Sequence, residues 1–296
     1  YASNEDLYVP GYFELPIKKG ESIVFSASTS AIKTSKLKSL FEKEIAIRQP
    51  RDNFYHCLVA SAHQFRNRQP NDDRYLLAGY PWFKARARDT FIALPGLTLA
   101  IGERDYFELV MKTSEKGLRE YMEGKPLTVK LYEIEHPDVP LWCVWTIQQY
   151  AKEAGREQGY KMYGKLVHDI VKYVMEDGHE NMHLDDNGLL FANGRDKAIT
   201  WMNSTANGRP VVPRSGYIVE FNALWYNALR FCASLEAEFG DAKFAEQLEE
   251  LAERCKKSFV DTFLNEYGYL LDYVDGNMMD WSVRPNMIFP VAFDYS

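Results

Sequence analysis

The sequence lacks the short motifs that mark several common enzyme classes. It contains no Walker A loop, no GxGxxG after a predicted strand and no GxSxG elbow, so nucleotide binding and acyl transfer have no support. The chain has only four cysteines, Cys57, Cys143, Cys232 and Cys255. They form no CxxC pair and no cluster with histidine at zinc spacing, and we expect neither a metal nor a cofactor. Each lies in a stretch of helical periodicity, which favours buried thiols in a reducing compartment such as the cytoplasm.

An excess of positive charge and long apolar runs are also missing. The 35 Lys and Arg residues against 42 Asp and Glu residues give a formal net charge of −7, which excludes a general electrostatic binder of nucleic acid. No apolar run reaches the roughly 18 residues of a membrane span, so we predict no membrane partner. The chain begins with Tyr1 rather than methionine, and we expect it to be a piece of a longer protein. The oligomeric state cannot be inferred from the sequence.

Aromatic residues, by contrast, are abundant. They make up 14% of the chain, with 19 Tyr, 17 Phe and 6 Trp, which is more than a core of average composition requires. Flat side chains in surplus favour either closely packed helices or a sugar-binding cleft. Composition alone leaves both possibilities open.

Hydrophobic periodicity divides the chain into a short β segment and a helical body. Residues 7–29 read as extended around a turn at 18–21 and resemble the last hairpin of a β domain. From Ser35 the period changes to about 3.6, which predicts helices over the apolar positions that start at Leu37 and at Phe54. Further helices are predicted at about 90–101, 105–122, 139–153, 160–176, 217–236 and 242–264. The connectors between them are rich in glycine, proline and aromatic residues, and function concentrates in such structured connectors.

The first candidate site lies in the connector 77–90. Arg88 and Asp89 could exchange hydrogen bonds with vicinal hydroxyls of one sugar ring, while Tyr80 or Trp82 covers the apolar face of that ring. The alternative is that Asp89 or Thr90 only caps the following helix.

The second candidate site is formed by residues 199–204 and 209–229. Glu220 is the one acid in the apolar and aromatic stretch 217–229, and acids seldom occupy such surroundings unless they are paired or functional. A raised carboxyl pKa there would suit a general acid. The alternative is a structural Glu220 that pairs with Arg214 or another arginine. Asp138 is interpreted mainly as an N-cap, with a secondary chance of facing a cleft.

Taken together, the motifs resemble the glucosidase region of glycogen debranching enzymes, the amylo-α-1,6-glucosidase family. The resemblance covers residues 78–286 and rests on four ordered motifs, to which the opening segment 6–13 adds a further match. These motifs are Ala78-Gly79-Tyr80-Pro81-Trp82-Phe83 with Arg88-Asp89-Thr90-Phe91, then Thr200-Trp201-Met202, Val219-Glu220-Phe221-Asn222-Ala223-Leu224-Trp225-Tyr226-Asn227-Ala228-Leu229, and Arg284-Pro285-Asn286.

The resemblance implies an all-α fold, an (α/α)6 toroid of the glucoamylase type that follows an N-terminal β-sandwich domain. Residues 1–33 would end that β domain, and 34–296 would form the N-terminal part of the toroid. A ring of about twelve helices needs roughly 350 residues or more, so the toroid is expected to be incomplete here.

The resemblance also implies an activity: inverting hydrolysis that removes the α-1,6-linked branch-point glucose from glycogen or limit dextrin. Such a reaction uses two carboxyl groups roughly 6.5–9.5 Å apart, one as general acid and one that activates water. By the same resemblance, Arg88 and Asp89 hold the non-reducing-end glucose. The substrate-binding residues expected beside this pair are Tyr80, Trp82, Trp201, Asn203, Arg214 and Arg284.

The sequence departs from the family pattern at two positions. Asn203 occupies the place where many members carry the Asp that is the expected general acid, and an amide cannot donate the required proton. We therefore predict Glu220 as the acid and expect the general base to lie C-terminal to this chain. Arg86-Ala87 replaces the usual Trp-Gly before Arg88. The alternatives are a non-catalytic glucan-binding module and another toroid hydrolase that acts on α-1,4-glucans.

Overall fold

The computed structural model describes residues 6–80 and 82–295, and the chain divides between Ala60 and Ser61 into two compact units. The described part of the first unit contains helix α1 (Leu37–Ile47) and the start of helix α2 (Phe54–Gln64). Both were predicted from the change of period. The predicted hairpin over 7–29 is not formed, because residues 6–33 contain no hydrogen-bonded strand in the structure. An extended segment becomes a strand only when it pairs with a neighbour.

Six long helices dominate the second unit and confirm the predicted helical body. They are α3 (Ala87–Leu97), α4 (Arg104–Met122), α5 (Val139–Ala154), α6 (Arg156–Met175), α7 (Val219–Phe239) and α8 (Ala242–Phe263). A short helix α9 (Phe289–Ala292) follows a 3-10 turn at Pro285–Ile288. No helix within 6–80 or 82–295 is both long enough and apolar enough to cross a membrane.

Buried and amphipathic helices alternate along this unit. Helix α5 buries 11 of its 16 residues and α7 buries 15 of 21, whereas α8 buries only 6 of 22. Helix α3 packs against α5, and α5 packs against α7, so the apolar helices form an inner layer. Helices α6 and α8 turn one apolar stripe toward that layer and a charged face away from it, as the 3.6-residue period of their apolar residues requires.

Short and long connectors also alternate. Helices α3 and α4 are joined by residues 98–103, α5 and α6 by Gly155, and α7 and α8 by Gly240-Asp241. Short connections make the two helices of each such pair antiparallel. Arg88 at the start of α3 contacts Asp138 just before α5 and Ile199 in the connector before α7, so the connectors that lead into these helices meet at one end. The long connectors, which are 65–86, 123–138, 176–218 and 264–288, therefore gather at that end. We call it the long-connector end.

The long connectors fold into small antiparallel sheets that the sequence analysis did not predict. The largest has the strand order β3-β4-β7-β8-β9, and register pairs include Phe191 with Tyr217 and Tyr217 with Val274. Gly216 has φ +89° and lies so close to β8 that a Cβ would stand 2.2 Å from the Val274 carbonyl oxygen. The nine strands in the described ranges 6–80 and 82–295 are β1 (Arg66–Arg68), β2 (Arg74–Leu76), β3 (Met182–Leu184), β4 (Leu190–Ala192), β5 (Thr205–Ala206), β6 (Arg209–Pro210), β7 (Gly216–Ile218), β8 (Tyr273–Asp275) and β9 (Met278–Met279).

These sheets correct the all-α prediction to a mixed region in which helices predominate. Strands of two or three residues are too short to show an alternating pattern, which is why periodicity missed them. One helix boundary is affected, because Tyr217 and Ile218 belong to β7 and not to the helix predicted from 217.

Candidate functional site at the long-connector end

The four sequence motifs converge at the long-connector end. Arg88 lies in the first turn of α3, and its Nη2 donates to the carbonyl oxygen of Ile199, 3.2 Å away. Trp201 Nε1 donates to Asn286 Oδ1 at 2.8 Å, which joins the second motif to the last. Residues that are up to 111 positions apart in sequence thus form one set of contacts, because each precedes or starts a helix of the inner layer.

Arg88 is buried and held by Asp138. Its Nε and Nη2 donate to Asp138 Oδ2 and Oδ1 at 2.7 and 2.8 Å, a bidentate pair that fixes the plane of the guanidinium. Trp142 Nε1 donates to the same carboxylate at 3.1 Å. Asp138 is the N-cap residue of α5 by position, as predicted, but its side chain makes no capping hydrogen bond and binds Arg88 instead. Arg88 Nη1 has no hydrogen-bond partner among the described residues.

His136 completes this cluster in its neutral form. Arg88 Nη2 donates to His136 Nδ1 at 2.9 Å, so Nδ1 must accept and carry no proton. Burial lowers the pKa of His136, and the positive charge of Arg88 lowers it further. The Arg88 cluster, defined as Arg88, Asp138 and His136, therefore combines one cation, one anion and one neutral ring.

Asp89 and Thr90 do not cap α3, because the helix begins at Ala87 and both residues lie inside its first turn. This excludes the alternative interpretation of these two residues. Asp89 is exposed, and with Thr90 it lines a cavity of about 290 Å³ whose other walls are mostly apolar. The Thr90 hydroxyl is buried without a hydrogen-bond partner in the described part of the chain. An exposed carboxylate beside the held guanidinium is accessible to a ligand.

A second buried arginine, Arg214, joins the remaining motifs. Its Nη1 and Nη2 both donate to the Glu220 carboxylate, the latter at 2.7 Å. Its Nε donates to Asp272 Oδ2 at 2.9 Å, and Nη2 also reaches Asp272 Oδ1 at 3.1 Å. All three side-chain nitrogens are therefore occupied, and the side chain is almost completely buried.

The contacts of Asp272 extend this network. Arg284 Nη1 donates to Asp272 Oδ2 and to Asp280 Oδ2, both at 2.8 Å. Asn286 Nδ2 donates to Asp272 Oδ1 at 2.6 Å. We call Glu220, Arg214, Asp272, Arg284 and Asp280 the Arg214 cluster. It contains three carboxylates and two guanidinium groups.

Glu220 is paired in the structure. The sequence analysis left open whether it is a free acid or the partner of an arginine, and both of its oxygens accept from Arg214. Only 2% of the residue is exposed, and burial raises the pKa of Glu220 while Arg214 opposes that rise. A role as general acid stays a prediction, because proton donation would require release from Arg214. A direct substrate contact of Arg214 also stays a prediction, since none of its nitrogens is free.

The predicted aromatic residues are exposed. Tyr80, Trp82 and Trp201 have 60%, 80% and 45% of their surface accessible. In the described part of residues 61–295, every exposed aromatic side chain lies on a long connector and none lies on α3 to α9. These residues are Tyr80, Trp82, Phe83, Tyr132, Trp201, Tyr267 and Trp281. Within this range, the aromatic residues thus supply both the core and this one end.

Asn203 lies half-buried in the loop before β5 and makes no hydrogen bond within the described part of the chain. Among the described residues, no group of three or more His, Cys, Asp or Glu side chains could hold a metal ion. The sequence analysis missed the roles of Asp138, His136, Asp272 and Asp280. Asp272 could have been found, because it stands in the apolar run 269–274 in the same way that Glu220 stands in its own stretch.

Exposed rings and buried arginine and carboxylate groups thus lie at one end of the inner helices, an arrangement that suits carbohydrate chemistry. Comparison of the sequence with family models agrees with this chemistry. Residues 59–296 match the model described as amylo-alpha-1,6-glucosidase, and the chain belongs to this family. The resemblance inferred from the four motifs is thereby confirmed. No curated protein matches the chain.

Proposed function

We propose that this chain contributes the site that binds and removes the α-1,6-linked branch-point glucose of glycogen or limit dextrin. The observation that carries the proposal is the convergence of all four motifs at the long-connector end, where Arg88 is rigidly held and still has a free Nη1. Family membership supports a glucosidase of the debranching type.

Recognition of the glucose would use the donors and acceptors that the chain leaves open. Arg88 Nη1 can donate to one hydroxyl and the exposed Asp89 carboxylate can accept from its neighbour, which suits the vicinal diol of a pyranose. Tyr80 and Trp82 offer flat surfaces for the apolar face of the ring. Trp201, Asn203 and Arg284 would line the same site.

Inverting hydrolysis would need a general acid and a water-activating base. We propose Glu220 as the acid. Arg214 also contacts Asp272 through Nε and Nη2, so it has a second anionic partner when Glu220 takes up a proton. The base would lie C-terminal to this chain.

The alternation of inner and amphipathic helices supports the proposed toroid. Three such pairs, α3 with α4, α5 with α6 and α7 with α8, correspond to half of an (α/α)6 ring with its site at one end of the inner helices. Residues 1–33 as the end of a β-sandwich domain, 34–296 as part of the toroid, and a cytoplasmic location are parts of the same proposal.

A second candidate function is glucan binding without hydrolysis. It is favoured by one specific observation: Asn203 carries an amide and both Glu220 oxygens are paired with Arg214, so neither motif presents a free carboxylic acid. Arg88, Asp89 and the exposed rings would then serve recognition only.

The test is glucose release from phosphorylase limit dextrin, measured for the chain, for a form extended at the C-terminus, and for Glu220→Gln, Asn203→Asp and the control Glu249→Gln, which lies half-buried on α8 and pairs with Arg230. Release that Glu220→Gln abolishes and Glu249→Gln preserves would support hydrolysis with Glu220 as acid. Release that persists in folded Glu220→Gln would exclude that role. Maltooligosaccharide binding without release in any form, including Asn203→Asp, would establish the binding-module alternative.

A further inference from the structure

Three aromatic side chains outside the predicted site cluster on the last long connector. The ring centroids of Tyr267 and Tyr269 are 6.4 Å apart with an interplanar angle of 17°, and those of Tyr267 and Trp281 are 6.2 Å apart at 67°. Tyr267 is 72% exposed and Trp281 is 42% exposed. The three rings, which we call the aromatic platform, therefore form a surface with two faces set at an angle.

Short-range hydrogen bonds fix the loop that carries the two tyrosines. Asn265 Oδ1 accepts from the backbone N–H of Tyr267 at 2.9 Å and of Tyr269 at 3.3 Å. The Asn265 backbone N–H donates to the Tyr269 carbonyl at 3.0 Å and closes the turn. Rings on such a closed turn lose little conformational entropy when a ligand binds.

The platform is also tied to the Arg214 cluster. Asp280 precedes Trp281; its Oδ1 accepts from the Ser282 N–H and its Oδ2 from Arg284 Nη1, both at 2.8 Å. Arg284 in turn binds Asp272, which holds Asn286 and, through it, Trp201. The platform thus belongs to the same contact network as the proposed branch-glucose site.

The chemistry of the platform fits a neutral polysaccharide. A cluster of exposed rings with polar neighbours is typical of a binding surface, whereas single exposed rings are not. The Tyr267 hydroxyl and Trp281 Nε1 have no hydrogen-bond partner within the described ranges 6–80 and 82–295, so both can bind sugar hydroxyls while the rings stack on C–H faces. The charged neighbours Glu266, Asp280 and Arg284 carry net negative charge, which disfavours a phosphorylated or acidic ligand.

We propose that the aromatic platform is an accessory subsite for the linear α-1,4-glucan chain of the branched substrate. This rests on the proposed function, because the platform would hold the main chain while the branch glucose occupies the site beside Arg88. An α-1,4-glucan curves, so successive glucose rings can stack on two faces that meet at an angle. The rings of Trp281 and Tyr267 provide such faces.

The experiment measures binding of maltoheptaose and of 1-deoxynojirimycin, a glucose-sized probe, by titration calorimetry with the full chain. The variants are Trp281→Ala, Tyr267→Ala and the control Leu109→Ala, which removes a side chain that is 39% exposed on α4. We expect each platform variant to weaken maltoheptaose binding about three- to tenfold and to leave 1-deoxynojirimycin binding and the melting temperature unchanged. The control should change neither affinity.

The outcomes separate the two proposals. Unchanged maltoheptaose affinity in both folded platform variants would overturn the subsite, whether or not the probe binds beside Arg88. Equal weakening of both ligands would also overturn it, because the platform would then not be a separate subsite. Weakened maltoheptaose binding in a chain that releases no glucose in any form would support the subsite and overturn hydrolysis.

Discussion

The two buried arginines at the long-connector end are bound in different ways. Arg88 has one carboxylate partner, Asp138, and a neutral histidine, and it keeps Nη1 free. Arg214 has two carboxylate partners, Glu220 and Asp272, and uses all three nitrogens. Both arginines are buried, but Arg88 keeps one nitrogen without a partner in the described structure, whereas all three side-chain nitrogens of Arg214 are occupied.

Under the proposed function, this difference separates an arginine that recognises the sugar from one that holds the structure together. A bidentate carboxylate fixes the guanidinium plane of Arg88 and points its remaining donors in a defined direction, which is the pre-organisation that a sugar hydroxyl requires. Arg214 connects Glu220 at the start of α7 with Asp272, whose neighbours lead to Trp201 and the platform. Its main contribution is to hold two connectors, 176–218 and 264–288, to the start of α7.

The largest loss of stability is expected when Arg214, whose side-chain nitrogens are all occupied, is replaced. Arg214→Met leaves Glu220 and Asp272 buried without their main cation, and uncompensated buried charges cost about 3–5 kcal/mol of unfolding free energy. Urea denaturation followed by circular dichroism measures this loss. The control is Arg104→Met. Arg104 Nη2 lies 3.3 Å from Glu153 Oε1 in an exposed ion pair, and loss of that pair should cost less than about 1 kcal/mol. Equal stability of the two variants would contradict the structural role of Arg214.

Replacement of Arg88, which keeps Nη1 free, should weaken ligand binding. Arg88→Met deletes the Nη1 donor and should weaken 1-deoxynojirimycin binding about 10- to 100-fold, since a charged hydrogen bond contributes about 1.5–3 kcal/mol. Calorimetry at a temperature where the variant is folded measures the affinity. Asp138→Asn should cause a smaller loss of affinity, because it weakens the hydrogen bonds that orient Arg88 but keeps the Arg88 side chain. Unchanged affinity in folded Arg88→Met would place the sugar site elsewhere.

The position of Arg88, Asp89 and the exposed rings at one end could be predicted better than the partners of either arginine. These residues were chosen because polyol recognition needs such residue types, and their role in recognition stays a prediction. The six helices were predictable because their 3.6-residue period extends over three or more turns. The pairing of Glu220 with Arg214 remained one of two alternatives, since six residues of separation do not determine which arginine is in contact.

The partners of both arginines could not be predicted for a physical reason. Asp138 lies 50 residues from Arg88, and Asp272 lies 58 residues from Arg214. Only the shared direction of the inner helices brings these pairs together, and that depends on the antiparallel turns between helices. The short strands that place Asp272 beside Arg214 have no period that sequence could show.

As the pH falls, we expect the Arg88 cluster to be destabilised at a higher pH than the Arg214 cluster, because the Arg214 cluster contains no histidine. Because burial lowers the pKa of His136 below its ordinary value of about 6.5, the folded protein binds fewer protons than the unfolded chain. Stability from this group is thus present above that value and falls as the pH drops below it. The charges that face His136 are those of Arg88, Asp138, Glu133 and Glu135.

The prediction is weaker binding of glucose, a ligand with no titratable group in this range, and a lower melting temperature at pH 5.5 than at pH 7.5. A proton on His136 Nδ1 removes one of the three acceptors of Arg88 Nη2 and places a second cation beside it. Burial lowers the pKa of His179 as well, so His136→Gln should remove the pH dependence of binding and only part of that of stability. The exposed control His183→Gln should keep the wild-type behaviour. A pH-independent affinity in the unmodified chain would show that Arg88 does not depend on neutral His136.

The smallest effect is expected where the Arg214 cluster meets the exposed rings. Trp201→Phe keeps an aromatic face but deletes the 2.8 Å hydrogen bond from Nε1 to Asn286 Oδ1, which should cost about 0.5–1.5 kcal/mol of unfolding free energy. If Asn286 also orients Trp201 for stacking, this variant should weaken maltoheptaose binding more than Trp281→Phe, whose Nε1 has no protein partner in the described structure. Equal affinities in the two variants would mean that Trp201 is held by packing alone. The Arg214 cluster would then stabilise the fold without fixing the orientation of the exposed rings.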